Sequence, residues 1–265
     1  MQLYEGKITM SLIKLGSFGQ KLNDIRKFLM FGNRSSTKRY IRALKARGAH
    51  IQDDLYIQTP ESVFIDDTTP YMLTMGKNVF IAAGVTILTH DACQRIETAK
   101  NGRISGHIRP VDIGSRVFLS VNSTVLCGVS ICDDVIVGAG SVVSRSITEP
   151  GVYMGNPAVK AADTDMLFAF RESKQLDEAY TLAIRYYEAF GKQPPEDVLN
   201  EYFYLFTPRN EAAVSEKCRL QMTLCKNFKL CMESFLASEP EFESYDEFWN
   251  WCLNRWEKEK QQCQE

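Results

Sequence analysis

Three histidines stand in the 265 residues, at positions 50, 90 and 107, and their side chains change protonation most readily near neutral pH. His90 has the most suggestive setting. It lies in Thr89-His90-Asp91, where a regular pattern breaks off, and an imidazole there is either a general base or an incidental polar corner residue. His107 sits among glycines in the interruption that follows, as a substrate or neighbour contact or as a solvated loop histidine. His50, at the junction of a helix and the pattern, reads as structural. Eight cysteines (93, 127, 132, 218, 225, 231, 252 and 263) form no CxxC pair and have no histidine at finger spacing. They are expected to be reduced, mostly buried thiols of a cytoplasmic protein. No glycine-rich strand-to-helix loop of Walker or Rossmann type is present, which leaves nucleotide hydrolysis and NAD chemistry without support.

The elements that must position these groups follow from a repeat. Counting every sixth residue from Met75 gives Ile81 and Ile87; counting from Ile113 gives Leu119, Val125, Ile131, Val137 and Val143. The frame extends backwards through Val63 and Ile57 to Ile51, with Thr69 its weak member. Glycine follows the aliphatic residue at 76, 114 and 138, and small or β-branched residues recur four places on. A period of six fits neither a helix nor a plain amphipathic strand. It fits a triangular solenoid in which each hexad is one short strand and one corner, and three hexads make an eighteen-residue coil. A β-sandwich would instead place turns every eight to twelve residues. The step from Ile87 to Ile113 is not a multiple of six, so residues 92–110 form a looped excursion that opens directly after His90. Such a loop on a rigid scaffold is usually functional.

Both ends read as helical. Residues 37–47 place Tyr40, Ile41 and Leu44 on one face before Gly48, a natural cap for the open solenoid. The tail holds all three tryptophans and only one glycine after residue 160, and predicts helices over about 165–190, 195–206, 209–237 and 244–262. Its aromatic stripe reads as core. The expected division is a helical cap at 1–50, a solenoid at 51–162 and a helical extension at 163–265. A net charge of −2 gives no basic field for nucleic acid, and no apolar run approaches the roughly 18–20 residues that span a bilayer. The first sixteen residues lack an apolar core with a small-residue cleavage site, so no secretory signal is expected.

These hexads, TILTHD at 86–91, VIVGAGSVVSRSI at 135–147 and GNPA at 155–158 together resemble the hexapeptide-repeat acyltransferases. The similarity is to the branch of maltose, galactoside and capsular polysaccharide O-acetyltransferases, and covers about residues 37–162. It implies a left-handed parallel β-helix, a homotrimer, and acetyl-CoA bound between neighbouring subunits as donor to a saccharide hydroxyl, with no metal. His90 matches the family's catalytic histidine. Ala139 and Ser144 match residues that contact coenzyme A, and Asn156-Pro157 matches the terminal loop beside it. Gly140 leaves the outer face free of bulk, and Arg145 and Lys160 are cations within reach of the nucleotide phosphates. Asp66, Asp91 and His107 are candidates for the acceptor, and Asp91 or a backbone carbonyl for orienting His90. Cys132 departs from the pattern where a hexad usually has glycine.

Two rival classes share this scaffold. A zinc-dependent carbonic anhydrase needs three histidine ligands, and positions 50, 90 and 107 are badly spaced for them. A non-catalytic trimeric scaffold or carbohydrate-binding module would also retain hexads; the presence of His90 argues against it.

Overall fold

The computed structural model describes residues 19–262, so the reading of the first sixteen residues, and Cys263, lie outside it. The chain divides into two compact units, Met1–Thr164 and Asp165–Glu265.

The first unit is a parallel β-helix with three faces. One face stacks β1 (His50–Ile51), β4 (Leu73–Met75), β7 (Val111–Ile113) and β10 (Ser130–Ile131). The second stacks β2 (Tyr56–Ile57), β5 (Phe80–Ile81), β8 (Phe118–Leu119) and β11 (Val135–Val137), and ends in β13 (Gly151–Met154) and β14 (Val159–Ala162). The third stacks β3 (Phe64–Ile65), β6 (Thr86–Ile87), β9 (Thr124–Val125) and β12 (Val142–Val143). Every pairing is parallel except the closing β13–β14 hairpin.

Each rung sends two residues inward, the aliphatic head and the residue two before it. Val79 with Ile81, Val85 with Ile87 and Val117 with Leu119 are all at most 1% exposed. This is why the small or β-branched residues recur: they fill the prism beside the corner. The outward side chains stack as well, and Tyr56, Phe80 and Phe118 form a ladder with ring centroids 5.2 and 5.1 Å apart.

The first coil corrects the six-residue frame. Its third head is Ile65, paired with Ile87, rather than Val63, although Val63 is also buried as the second inward residue of that rung. Thr69 points to no rung; it precedes a 3-10 turn at Pro70–Met72. Ile51 pairs with Met75, so this coil is 24 residues long, six more than the regular eighteen.

Corner chemistry is columnar. Asn78, Arg116 and Asp134 take φ of 53°, 56° and 62° at one corner, and Gly84, Asn122 and Gly140 take 72°, 57° and 67° at the next. Asn122 therefore serves where its neighbours use glycine. The glycines after the heads answer a different need: a Cβ on Gly76 would lie 2.7 Å from the Gly114 carbonyl carbon, and one on Gly114 2.8 Å from that of Cys132. Cys132 escapes the constraint because β10 is the last strand of its face, and its side chain packs against the end of the core.

Residues 19–31 are helical. α1 (Thr37–Ala46), whose N-cap Ser36 accepts from the Arg39 N–H, buries Tyr40, Ile41 and Leu44 in the same core as the first coil. The excursion is not a plain loop: α2 (Gln94–Asn101) occupies its first half and ends at Gly102 with φ 75°.

The second unit contains α3 (Thr164–Glu172), α4 (Gln175–Phe190), α5 (Glu216–Thr223), α6 (Phe228–Ala237) and α7 (Tyr245–Gln262). The expected helix over 195–206 is instead two 3-10 turns, Glu196–Leu199 and Phe203–Leu205. Its buried residues Leu199, Phe203, Leu205 and Phe206 do not share one helical face. The expected helix over 209–237 is broken by caps, with Asn210 accepting from the Ala213 N–H and Ser215 from the Cys218 N–H. At the start of α7 the Ser244 hydroxyl accepts from the Glu247 N–H at 3.2 Å, while the Glu247 carboxylate accepts from the Glu243 N–H. Phe206 and Phe248 are fully buried, and Trp249 and Trp256 each meet Tyr187 edge-on.

The expectation of mostly buried thiols fails for the described cysteines: only Cys218 and Cys252 are buried, whereas Cys93 and Cys225 are exposed. No helix among the described residues is long and apolar enough to cross a membrane.

Candidate active site

His90 lies just beyond β6, where the chain leaves the prism, and its side chain is 38% exposed. Its Nδ1 is hydrogen-bonded to Oδ2 of Asp66, a residue only 1% exposed. The Thr89 N–H and hydroxyl donate to the same oxygen at 3.1 and 2.7 Å, and the Thr68 N–H and hydroxyl donate to Oδ1 at 3.1 and 2.7 Å. Burial pushes the Asp66 carboxyl up, but the bonds from Thr68, Thr89 and His90 outweigh it and hold the group well below the usual carboxylate range. An ionised Asp66 only accepts, so Nδ1 is the donor, and in the neutral tautomer that this bond selects the lone pair is on Nε2. Nε2 has no hydrogen-bond partner among the described residues.

Asp66, expected near the acceptor, is enclosed, with both carboxylate oxygens engaged by Thr68, Thr89 and His90, and it is the group hydrogen-bonded to Nδ1 of the histidine. Neither Asp91 nor a backbone carbonyl takes that role. The inserted residues of the first coil form the Asp66–Thr69 turn that carries the carboxylate to His90.

Asp91 and His107 belong to the root of the excursion. The Asp91 N–H donates to the His107 carbonyl at 3.2 Å and the Arg109 N–H to the Thr89 carbonyl at 2.9 Å, an antiparallel clamp in which His90 faces Ile108. Asp91 Oδ1 accepts from the Cys93 N–H at 2.9 Å, and Oδ2 lies 3.6 Å from Nε2 of His107. These two side chains face each other across the loop root. His50 opens β1 and is exposed.

The residues expected at a coenzyme flank β12. Ala139 and Gly140 form the exposed corner before it, and Ser144 and Arg145 the exposed corner after it. Asn156 and Pro157, joined by a cis peptide, lie in the turn that covers the open edge of β12. There the Val142 N–H donates to the Gly155 carbonyl at 2.9 Å and the Ala158 N–H to the Val142 carbonyl at 2.8 Å. A Cβ on Gly140 would meet nothing within 4 Å, so this corner is open. Arg145 has no ion-pair partner among the described residues, whereas Lys160 is engaged by Asp163 at 2.7 Å and Glu149 at 3.7 Å. Arg145 shares its corner with His90, two rungs away in the β6–β9–β12 stack.

The site is thus one oriented, partly exposed imidazole on a rigid coil of six-residue rungs. Residues 110–145 match the family model described as the hexapeptide repeat of succinyl-transferase. Protein CapG of Staphylococcus aureus is 34% identical over 163 residues, 61% of this chain and 89% of that protein. The galactoside O-acetyltransferase of Escherichia coli (strain K12) is 32% identical over 113 residues, 42% of this chain and 53% of that one. A putative lipopolysaccharide biosynthesis O-acetyl transferase of the same strain, WbbJ, is 34% identical over 115 residues, 41% of this chain and 54% of that one. The chain belongs to the hexapeptide-repeat acyltransferase family. With that repeat, its parallel rungs make a left-handed β-helix.

Proposed function

We propose that the protein transfers an acetyl group from acetyl-CoA to a hydroxyl of a sugar or polysaccharide, with His90 as general base. The observation that carries this reading is the His90–Asp66 pair, which leaves an unpartnered basic nitrogen at the surface of a rigid corner. The similarity to a galactoside O-acetyltransferase and to a putative lipopolysaccharide O-acetyl transferase supports a saccharide acceptor and an acetyl donor.

In this reading the acceptor oxygen attacks the thioester carbonyl carbon as its proton passes to Nε2 of His90. The C–O bond forms, the C–S bond breaks, and the proton moves on to the coenzyme A thiolate. Asp66 stabilises the imidazolium formed in between. The transfer needs no covalent enzyme intermediate and no metal. The donor lies along the β12 edge, with its arm over Ala139 and Gly140 and beside Asn156-Pro157. Ser144 and Arg145 meet its polar end. Such an edge groove needs a second wall to enclose a ligand, and a homotrimer supplies it.

Replacing His90 with Ala removes proton transfer and leaves the β12 edge intact. General-base catalysis is worth roughly 10²–10⁴-fold, so kcat with a saccharide panel is expected to fall by about that factor. Acetyl-CoA affinity, measured by calorimetry, is expected to stay within about threefold, since the variant leaves donor contacts in place. Full turnover in His90→Ala would overturn the assignment.

A further inference from the structure

Beside the dyad, the root of the excursion holds a cluster that acyl transfer does not use. Among the described residues, Asp91, His107 and Cys127 form a group of three potential ligands whose donor atoms all lie within 4.8 Å of one another. They come from three different strokes of the chain. Asp91 is on the outgoing limb of the loop and His107 on the returning limb. Cys127 follows β9, one rung further along the same face as β6.

The backbones of all three are fixed independently of any ligand. The two limbs are clamped by the Asp91–His107 and Arg109–Thr89 hydrogen bonds, and the Gly128 N–H donates to the Pro110 carbonyl at 3.0 Å. The Asp91–His107 separation of 3.6 Å suits a tetrahedral ion. Zinc–oxygen and zinc–nitrogen bonds of about 2.0–2.1 Å and a zinc–sulfur bond of about 2.3 Å set ligand atoms about 3.3–3.8 Å apart. The widest separation therefore closes with a side-chain movement of about 1 Å. A carboxylate, an imidazole and a thiolate make a mixed O, N, S set that suits zinc and not magnesium or calcium, which prefer oxygen alone.

We propose that Asp91, His107 and Cys127 bind one Zn²⁺ ion that ties both limbs of the 92–110 excursion to the next rung of the β-helix. The ion is held by three protein ligands with the fourth position open, and on binding the Cys127 thiol gives up its proton to solvent. Its role is to hold the loop beside His90; acyl transfer does not pass through it, and the proposal stands apart from the assigned reaction. It also gives Asp91 and His107 a purpose other than the acceptor contacts expected of them.

The test uses the full chain, reduced and stripped of metal, titrated with Co²⁺ as an optical probe. One equivalent is expected to produce a thiolate-to-cobalt charge-transfer band with tetrahedral ligand-field bands, and Zn²⁺ to displace it. Cys127→Ser is expected to abolish the charge-transfer band, and His107→Ala to weaken Co²⁺ binding at least about tenfold, as loss of one ligand does. Both side chains are at least partly exposed, and a thermal melt of each metal-free variant checks that it folds. A second readout is tryptic cleavage after the exposed Arg95, Lys100 and Arg103, which Zn²⁺ is expected to slow in the wild type and not in Cys127→Ser. Absence of the charge-transfer band in the folded wild type would overturn the proposal. So would a band that persists in Cys127→Ser, which would assign the metal to other cysteines.

Discussion

A buried carboxylate with five surrounding donors is worth most when ionised, and that gives Asp66 a signature in acid. Its carboxyl titrates lower in the folded than in the unfolded chain. The stability it contributes is therefore fully present above the unfolded value, near about pH 4, and is lost as pH falls through the folded one. Denaturant unfolding of the wild type is expected to weaken steeply below about pH 4, and that part of the slope to be absent in Asp66→Asn. An unchanged slope would mean that the carboxylate is not held as described. The same variant is expected to lose turnover by about tenfold to a hundredfold with little change in donor affinity, as when an orienting partner is removed from a histidine. His90 was legible in the sequence because a break in a strict period marks the place where a side chain leaves a core. Asp66 was not. A regular eighteen-residue coil puts a residue 24 positions before His90 one face away from it. Four residues inserted between Ile65 and Met75 bring the two together, and because the insertions of the first coil total one whole hexad, they leave the period of the flanking heads unbroken.

At the level of elements, the rungs are governed by what each corner can hold. A methyl group on Gly114 would press on backbone atoms of the next rung, which cannot retreat as a side chain can. Gly114→Ala is expected to destabilise the first unit by about 1–3 kcal/mol, the usual cost of overpacking, read as a fall in urea midpoint. Gly140 is the contrasting case. Its φ of 67° matches that of Asn122 in the same corner column, and its surroundings are empty. Gly140→Asn is expected to cost no more than about 1 kcal/mol in stability. It is nonetheless expected to raise the KM for acetyl-CoA about tenfold or more, by placing an amide where the donor arm runs. An unaltered KM would move the donor off this corner. The hexads were readable because buried heads repeat without regard to the identity of the outward residues. The tail was less so: caps at Asn210 and Ser215 and the left-handed turn at Lys226 cut one expected helix into pieces, and a cap is visible in sequence only once the helix beginning is known.

For the whole molecule, the site as proposed is half a groove, and the expected assembly follows from that. Light scattering is expected to give a mass near three times the 30.2 kDa of one chain; a stable monomer at working concentration would remove the second wall from the donor site. The stacking of rungs has one more consequence. His90 follows β6 and Arg145 follows β12, so roughly 10 Å of axis separates them at about 4.8 Å per rung. Backbone bonds of 3.0 Å, from the Leu88 N–H to the Val125 carbonyl and from the Leu126 N–H to the Val143 carbonyl, hold that interval. It is a ruler whose graduations are whole strands. Substitutions at either mark change what is gripped there, but the distance between grips changes only when a complete turn of chain is gained or lost. The spacing of the two marks is therefore quantised, and point mutation alone cannot drift it.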